Sequence, residues 1–364
     1  MIIESIELKN FRNYEKLQME FDSETNILYG DNAQGKTNIL EAVYLSGTTK
    51  SHKGSKDRDV INFKHEESHI RTMVRKNGIS YRIDMHLKKN KTKGIAVNGI
   101  PIKKAGDLFG IVNIVFFSPE DLNIIKNGPS ERRRFIDMEL CQLDKVYMHD
   151  LTNYNKIIGQ RNKLLKDIGY GSGDGALLDT LSMWDMQLCS YGSKIIQRRK
   201  VFIRQLNEII HDIHKKLTGE KEEIELIYEP DSDENMLHEK LEKNRDRDIK
   251  MKMTSAGPHR DDLCFKVNGV DIRRFGSQGQ QRTSALSLKL SEIELVKKTI
   301  HDTPVLLLDD VLSELDSHRQ NYLLNSIQNI QTLITCTGLD EFINNRFHIN
   351  KIYKVVEGSV FSEN

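Results

Sequence analysis

The chain has 364 residues, 38% of them hydrophobic and 29% charged, which is enough apolar side chain for a large core and excludes an intrinsically disordered chain. Lys and Arg number 54 against 53 Asp and Glu, so a formal net charge of +1 excludes attraction of nucleic acid or membrane by overall charge; any phosphate-binding surface has to come from local clustering. Cys141, Cys189, Cys264 and Cys336 stand far apart with no CxxC pair, no window approaches about 18 uninterrupted apolar residues, and the first residues lack a leader's apolar stretch, so a protein of the reducing cytoplasm with no zinc site, disulfide framework or membrane span is expected.

From the amino end, apolar residues alternate in IIESIELKNF (2–11) and KLQMEF (16–21), and NILYG (26–30) is a short apolar run closed by glycine. A period of two predicts three strands over 2–29, and a helix is expected from Lys36 to about Ser46. Between Ile61 and Phe117 the pattern stays strand-like, with KNG (76–78) and VNG (97–99) as turns between runs such as ISYRIDMHL and GIVNIVFF, which predicts an antiparallel β-rich lobe. Beyond SPEDL (118–122) the period becomes helical over most of 130–218, broken by the flexible GYGSGDG (169–175).

A helix over 177–217 would span roughly 60 Å at about 1.5 Å per residue. Its apolar stripe runs from Leu177 to Leu217 but skips near Arg198, and Gly192 weakens its middle by about 1 kcal/mol relative to Ala. A packed helical arm with a bend is expected rather than a long free coiled coil. Strand patterns return in DDLCFKVNGVDI (261–272), PVLLLDD (304–310) and QTLITC (331–336). The chain therefore reads as an α/β core built from both ends, 1–125 and 251–364, around a helical insertion over 126–250.

GDNAQGKT (30–37) matches G-x-x-x-x-G-K-[ST] and stands between an apolar strand and a helix, the context that pattern requires. Gly30 and Gly35 let the backbone wrap closely round phosphates, with Asp31, Asn32, Ala33 and Gln34 in the same cradle. Lys36 neutralises the outer phosphates and Thr37 offers a hydroxyl to Mg²⁺. The alternative is a chance glycine-rich turn. VLLLDD supplies the partner acids: Val305 to Leu308 form a buried strand, Asp309 leaves it suited to Mg²⁺ and Asp310 to polarising water, although two acids there also fit an ordinary strand end. Ser277, Gln278 and Gly279 precede the amphipathic TSALSLKLSEIELVKK (283–298), so they are either a second anion site at a helix amino end or a plain helix cap.

Phosphate loop, SQGQQ, VLLLDD and SELD (313–316), in this order, resemble the ATPase heads of the ABC superfamily, in which the Ser-Gly-Gln signature of one subunit completes the phosphate-loop site of its twin. More closely, LKNFRNY (8–14), FFSPEDL (116–122), GPSERRRFID (128–137), GPHRDD (257–262), SQGQQRT (277–283) and LLLDDVLSELD (306–316) are similar to the blocks of the RecF family of bacterial recombination-repair proteins, over nearly the full length. The resemblance implies an α/β, ABC/SMC-like P-loop ATPase head, a mixed sheet core plus an antiparallel β lobe, with an inserted helical lobe or arm. It divides the chain into 1–125 with the phosphate loop, 126–250 as the helical lobe, and 251–364 with signature, acidic strand and SELD turn.

Residue by residue, the resemblance implies that Lys36 and Thr37 bind ATP and Mg²⁺, that Asp309 ligands the metal and that Asp310 holds the water. Ser277 and Gly279 would reach the γ-phosphate of the opposing subunit, with Gln280 among the nucleotide-binding residues and Asp316 near the seam. The implied function is an ATP-induced homodimer that clamps DNA, single-stranded, double-stranded or at junctions and gaps, is released by slow, DNA-stimulated hydrolysis, and assists RecA loading with RecO and RecR and SOS induction. Three departures stand out: Asp310 where most such ATPases carry Glu, FFSPEDL with no Gln, and Thr337 where a switch His is usual.

KSHKGSKDR (50–58), KKNKTK (88–93), RRR (132–134) and RRK (198–200) are candidate DNA-phosphate contacts, each also readable as a solvated face. An ATP-binding subunit of an ABC transporter is the competing reading, disfavoured by the long helical insertion and the missing Gln and His. A long-armed chromosome-organising ATPase would need far longer heptad arms.

Overall fold

The alternation at the amino end folds into strands Ile2–Phe11 and Tyr14–Glu20, in which Tyr14, Leu17 and Met19 are buried while Lys16, Gln18 and Glu20 stay exposed. They pair antiparallel and open a six-stranded sheet completed by Glu67–Lys76, Ile79–Lys88, Lys91–Val97 and Ile100–Pro101. The two predicted hairpin turns fall at Asn77-Gly78 and Asn98-Gly99, where all four residues have positive φ, the geometry that favours Asn-Gly.

This is a computed structural model, and it describes residues 1–169, 175–339 and 348–363; GYGSGDG lies largely outside them. Contacts divide the chain into two units, Met1–Asp121 with Leu286–Asn364, and Leu122–Ala285. The first unit carries a second six-stranded sheet in the order Ser359–Glu363, Lys351–Val356, Thr25–Tyr29, Thr332–Cys336, Val305–Asp309, Ile114–Phe117. All its neighbours run parallel except the antiparallel Ser359–Glu363 edge. Ile114–Phe117 therefore leaves the antiparallel lobe in which the sequence placed it. Its four residues are buried in succession, and a strand covered on both faces carries no alternation.

The second unit holds helices Pro129–Leu143, Lys145–Gly169 and Gly175–Leu217 and a three-stranded sheet of Ile224–Glu229, Asp262–Val267 and Val270–Asp271. Residues 251–285, expected with the head, belong here instead, because Asp262–Val267 pairs along its whole length with Ile224–Glu229. Gly175–Leu217 runs unbroken for 43 residues. Gly192 is a close-packing point rather than a hinge: a Cβ there would lie 2.6 Å from Leu237 Cδ2 and 3.2 Å from the Tyr154 ring.

The interruption of the apolar stripe near Arg198 also has a structural cause. The next residue, Arg199, is 2% exposed and donates to Asp137 Oδ1 at 2.7 Å, Asp261 Oδ2 at 2.8 Å and Pro258 O at 2.7 Å. Tyr147 donates to the same Asp137 oxygen and Tyr228 to the same Asp261 oxygen, so the core of this unit is partly ionic and cross-linked through shared carboxylates. A second buried guanidinium, Arg161, pairs with Asp185 and Asp248 at 2.6 Å each.

Beside that network His259 sits between Tyr154, whose hydroxyl lies 2.8 Å from Nδ1, and the Thr254 carbonyl, 3.1 Å from Nε2. A carbonyl only accepts, so Nε2 carries the proton and Nδ1 accepts from the tyrosine. Burial, with smaller opposition from the Thr254 bond, lowers His259 from 6.5 to about 4. Unfolding at intermediate pH therefore takes up a proton: the contribution is fully present above about 6.5 and is lost as pH falls towards about 4, with a slope of at most about 1.4 kcal/mol per pH unit. Urea midpoints at pH 7.5 and 5 should fall further for the wild type than for His259→Gln; equal losses would contradict a neutral buried His259.

Candidate nucleotide-binding site

Strand Thr25–Tyr29 is buried almost throughout and delivers the chain at Gly30 into the loop that precedes helix Lys36–Thr48. Two glycines make the turn possible. Gly30 has φ +145° and a Cβ there would lie 2.4 Å from the Val355 carbonyl oxygen; Gly35 has φ +117° and its Cβ would meet Asn13 and Tyr14 side chains within 2.7 Å. Asp31, Asn32 and Ala33 form an exposed rim, whereas Lys36 is 4% exposed and turned inwards, donating from Nζ to Gly30 O at 2.6 Å and Asp31 O at 2.9 Å. A fixed ammonium thus lies within the curve of the loop.

The loop is clamped from both sides. Asn13 donates from Nδ2 to Gln34 O at 3.0 Å and accepts from Asn38 at 2.8 Å, and Tyr14 Oη donates to Gly35 O at 3.1 Å. From the other side the Gly358 amide donates to Gln34 O at 3.2 Å and the Glu357 amide to Gln34 Oε1 at 2.5 Å. The resemblance carried by LKNFRNY does not by itself announce this role of Asn13 and Tyr14. The signal was the polar Asn13-Tyr14 pair at the tight turn between two strands, where Arg12 takes positive φ.

Strand Thr332–Cys336 lies between the phosphate-loop strand and the acidic strand Val305–Asp309. Asp309 Oδ1 accepts from Thr37 Oγ1 and from Thr335 Oγ1, each at 2.7 Å, so the loop helix, the central strand and the acidic strand meet on one oxygen. Asp310 follows with φ +51°, its amide donating to Thr335 Oγ1 at 3.0 Å. Burial raises the Asp310 carboxyl above the ordinary range, Lys36 opposes that shift and Asp309 adds to it, which puts Asp310 within electrostatic reach of both. Asp310 lines a cavity of about 180 Å³ together with Ser313, Thr335, Thr337 and Gly338. Thr337, the residue in the place of a switch His, therefore faces the same cavity as Asp310.

Ser277, Gly279 and Gln280 belong to the other unit, and the structure does not join them to this cluster within one unit. Ser277, Gln278 and Gly279 are exposed. The Ser277 amide donates to Gln280 Oε1 at 3.0 Å and the Gln280 amide to Ser277 Oγ at 3.2 Å, a reciprocal capping box at the start of helix Gln278–Ile300. Asp316 likewise caps helix Ser317–Ser326, accepting from the His318 and Arg319 amides.

The four basic clusters part company. Arg132, 1% exposed, pairs with Asp262 at 2.6 Å; Arg133 donates to Asp261 O; Arg199 is the buried hub described above; Arg198 pairs with Asp144 and Lys200 with Asp233 and Glu234. Arg132, Arg133 and Arg199 serve the fold of the second unit, which corrects their reading as DNA contacts, while Arg134 and Arg198 stay exposed. The other two merge: Lys93 Nζ donates to Thr49 O at 2.5 Å and Asp57 Oδ1 at 2.9 Å, which ties 88–93 to 50–58. Arg12, bidentate on Glu41 at 2.7 and 2.8 Å and bonded to Ser55, fixes the same segment to the phosphate-loop helix. Lys50, Lys53, Lys56, Arg58 and Lys91 remain exposed on it.

Asn13→Ala removes the side-chain links to Gln34 and Asn38 without touching the loop itself. Nucleotide affinity is expected to fall about tenfold, as loss of one or two hydrogen bonds at about 1 kcal/mol each allows. Titration of a fluorescent nucleotide measures it, and an unchanged affinity would remove Asn13 from the site.

A family model described as RecF/RecN/SMC N terminal domain matches residues 2–359. A DNA replication and repair protein RecF of Lachnospira eligens is 66% identical over 364 residues, covering 100% of both chains, and one of Clostridium botulinum is 47% identical over 94% of each. Among solved structures, a recombination mediator protein RecF with ATP, of the RecFOR pathway, aligns with TM-score 0.92 and 38% identity over 100% of this chain and 97% of that one. An Smc head bound to the C-winged helix domain of ScpA aligns with TM-score 0.58 at 16% identity, a likeness of fold alone.

Proposed function

The chain belongs to the RecF family of DNA replication and repair proteins, and on that footing we propose that it is an ATP-operated clamp on DNA, in which the Ser277 loop of one copy closes the phosphate-loop site of another. The transporter alternative is dropped with the family shown, and no helix among the described residues is long and apolar enough to cross a membrane. The observation that carries the proposal is the convergence of Thr37, Thr335 and Asp309 on one oxygen beside the inward Lys36, since it joins the charge that binds phosphate to the acids that act on it.

ATP is the expected ligand of the loop, and a solved relative is a RecF with ATP. Mg²⁺ fits Thr37 and Asp309, a hydroxyl and a carboxylate oxygen 2.7 Å apart, the hard donors that magnesium takes. When bound, the ion would draw charge from the phosphate oxygens. Lys36 holds the outer phosphates, and Asp310 orients water in the cavity that Thr337 and Ser313 line. An acid one methylene shorter than glutamate reaches less far, so weak, DNA-stimulated hydrolysis acts as a release step. Thr337 stands in for the switch His, and SPEDL takes the place of the missing Gln without a side chain of the same chemistry.

DNA contact falls to the merged basic face of Lys50, Lys53, Lys56 and Lys91, which gives a nearly neutral chain one concentrated cationic surface. RecO and RecR are the expected partners in assisting RecA loading and SOS induction, in the cytoplasm.

Sedimentation of the chain with ATP and a short duplex is the test. A shift to dimer on addition of both is expected, and a monomer under all conditions would overturn the clamp. Lys36→Ala should lower ATP affinity at least about a hundredfold, since it removes a phosphate charge contact worth about 3 kcal/mol; near-normal binding would refute the phosphate-loop reading. Lys50→Glu, Lys53→Glu and Lys56→Glu together should weaken duplex binding and flatten its salt dependence by about one unit of log–log slope per lost phosphate contact. An unaltered slope would move the DNA elsewhere.

A further inference from the structure

Gln280 is committed on both ends of its side chain. Its Oε1 accepts from the Ser277 amide at 3.0 Å, while its Nε2 donates to Glu222 Oε1 at 3.0 Å. Glu222 lies in the turn between helix Gly175–Leu217 and strand Ile224–Glu229, 58 residues away in sequence but within the same unit. Its second oxygen lies 3.4 Å from Nε2 of His214, which is fully buried, and its own side chain is 22% exposed. The neighbouring Glu223 is engaged separately by Lys215 at 3.0 Å.

The consequence concerns the Ser277 loop. In the capping box the Ser277 hydroxyl accepts from the Gln280 amide, and the Ser277 amide is covered by the Gln280 side chain. The hydroxyl still has its own proton to donate to a phosphate oxygen, but the amide is taken, so the Gln280 side chain has to swing out before the Ser277 amide can meet one. A neutral Ser-Gln box at an exposed helix end opens readily. Here a hydrogen bond to a carboxylate holds Gln280 in place, a stronger contact than one between neutral groups. The same carboxylate sets a fixed negative charge within one glutamine side chain of the first turn of Gln278–Ile300, where it satisfies the positive helix end and repels an incoming anion.

We propose that Glu222 is a latch on the Ser277 loop, a positioning residue that keeps Gln280 closed over Ser277 and so sets how much ATP is needed to bring two copies of the chain together. This rests on the reading that Ser277 engages a phosphate held by a second copy. Glu222 touches no nucleotide in this account; it acts through Gln280.

The experiment is an ATP titration of dimer formation by light scattering for the wild type, Glu222→Gln and Glu222→Ala, with nucleotide affinity of the monomer and thermal melting alongside. Glu222→Gln keeps the shape and an acceptor but removes the charge, so it stays informative if Glu222→Ala folds poorly. The ATP concentration at half-dimerisation should fall about three- to tenfold in Glu222→Gln and further in Glu222→Ala, with monomer nucleotide affinity unchanged. A contact that merely supports the fold would move the midpoint the other way or leave it in place, and either result overturns the latch alone. A wild type that never dimerises with ATP, with or without a short duplex, overturns the clamp, and the latch with it.

Discussion

The geometry of the candidate site depends on one carboxylate oxygen. Asp309 Oδ1 receives the hydroxyls of Thr37 and Thr335, and those three residues come from the phosphate-loop helix, the acidic strand and the strand between them. Parallel strands in this order bring their carboxyl ends to one edge, which is where ligands bind in open α/β sheets. Thr335 also accepts the Asp310 amide, so the left-handed backbone at Asp310 is held by the hydroxyl that orients Asp309. Strain of this kind persists where surrounding bonds fix it. The position of the second acid therefore follows from the fixing of the first.

The second unit solves a different problem. Its core contains Arg161 and Arg199, each almost without solvent contact, and buried charges destabilise unless paired and fully bonded. Aspartates reach them from distant parts of the chain: Asp137 and Asp261 for Arg199, Asp185 and Asp248 for Arg161. This is the structural content of the GPSERRRFID and GPHRDD blocks. Such a network demands one arrangement of the long helices against the small sheet, and it gives the Ser277 loop, which follows that sheet in sequence, a defined scaffold.

What was legible in the sequence was local. A phosphate loop needs contiguous residues with special backbone freedom, and strand alternation shows within a few residues; both Asn-Gly turns and the helix from Lys36 follow from such rules. Ser277 with Gln280 three residues on is also a local capping pattern, although the sequence leaves it open whether that pattern is the whole of the loop's role. Long-range facts were not legible. Arg132 and Arg199 look like surface cations because nothing adjacent announces Asp262 or Asp261. Ile114–Phe117 reads as part of the antiparallel sheet because a fully buried strand carries no period to say which neighbour it has. The clamp of Asn13 on Gln34 and the hold of Glu222 on Gln280 join residues whose meeting only the fold decides.

The central claim, that each site is built from two copies, is tested most directly by mixing two damaged chains, Lys36→Ala and Ser277→Arg. Neither should form dimers with ATP alone: the first lacks the phosphate charge, the second the hydroxyl. Together they contain one intact site, Lys36 of one chain facing Ser277 of the other, and light scattering of the mixture with ATP should show a mixed dimer. Dimers in either variant alone, or none in the mixture at ATP concentrations that dimerise the wild type, would contradict the account.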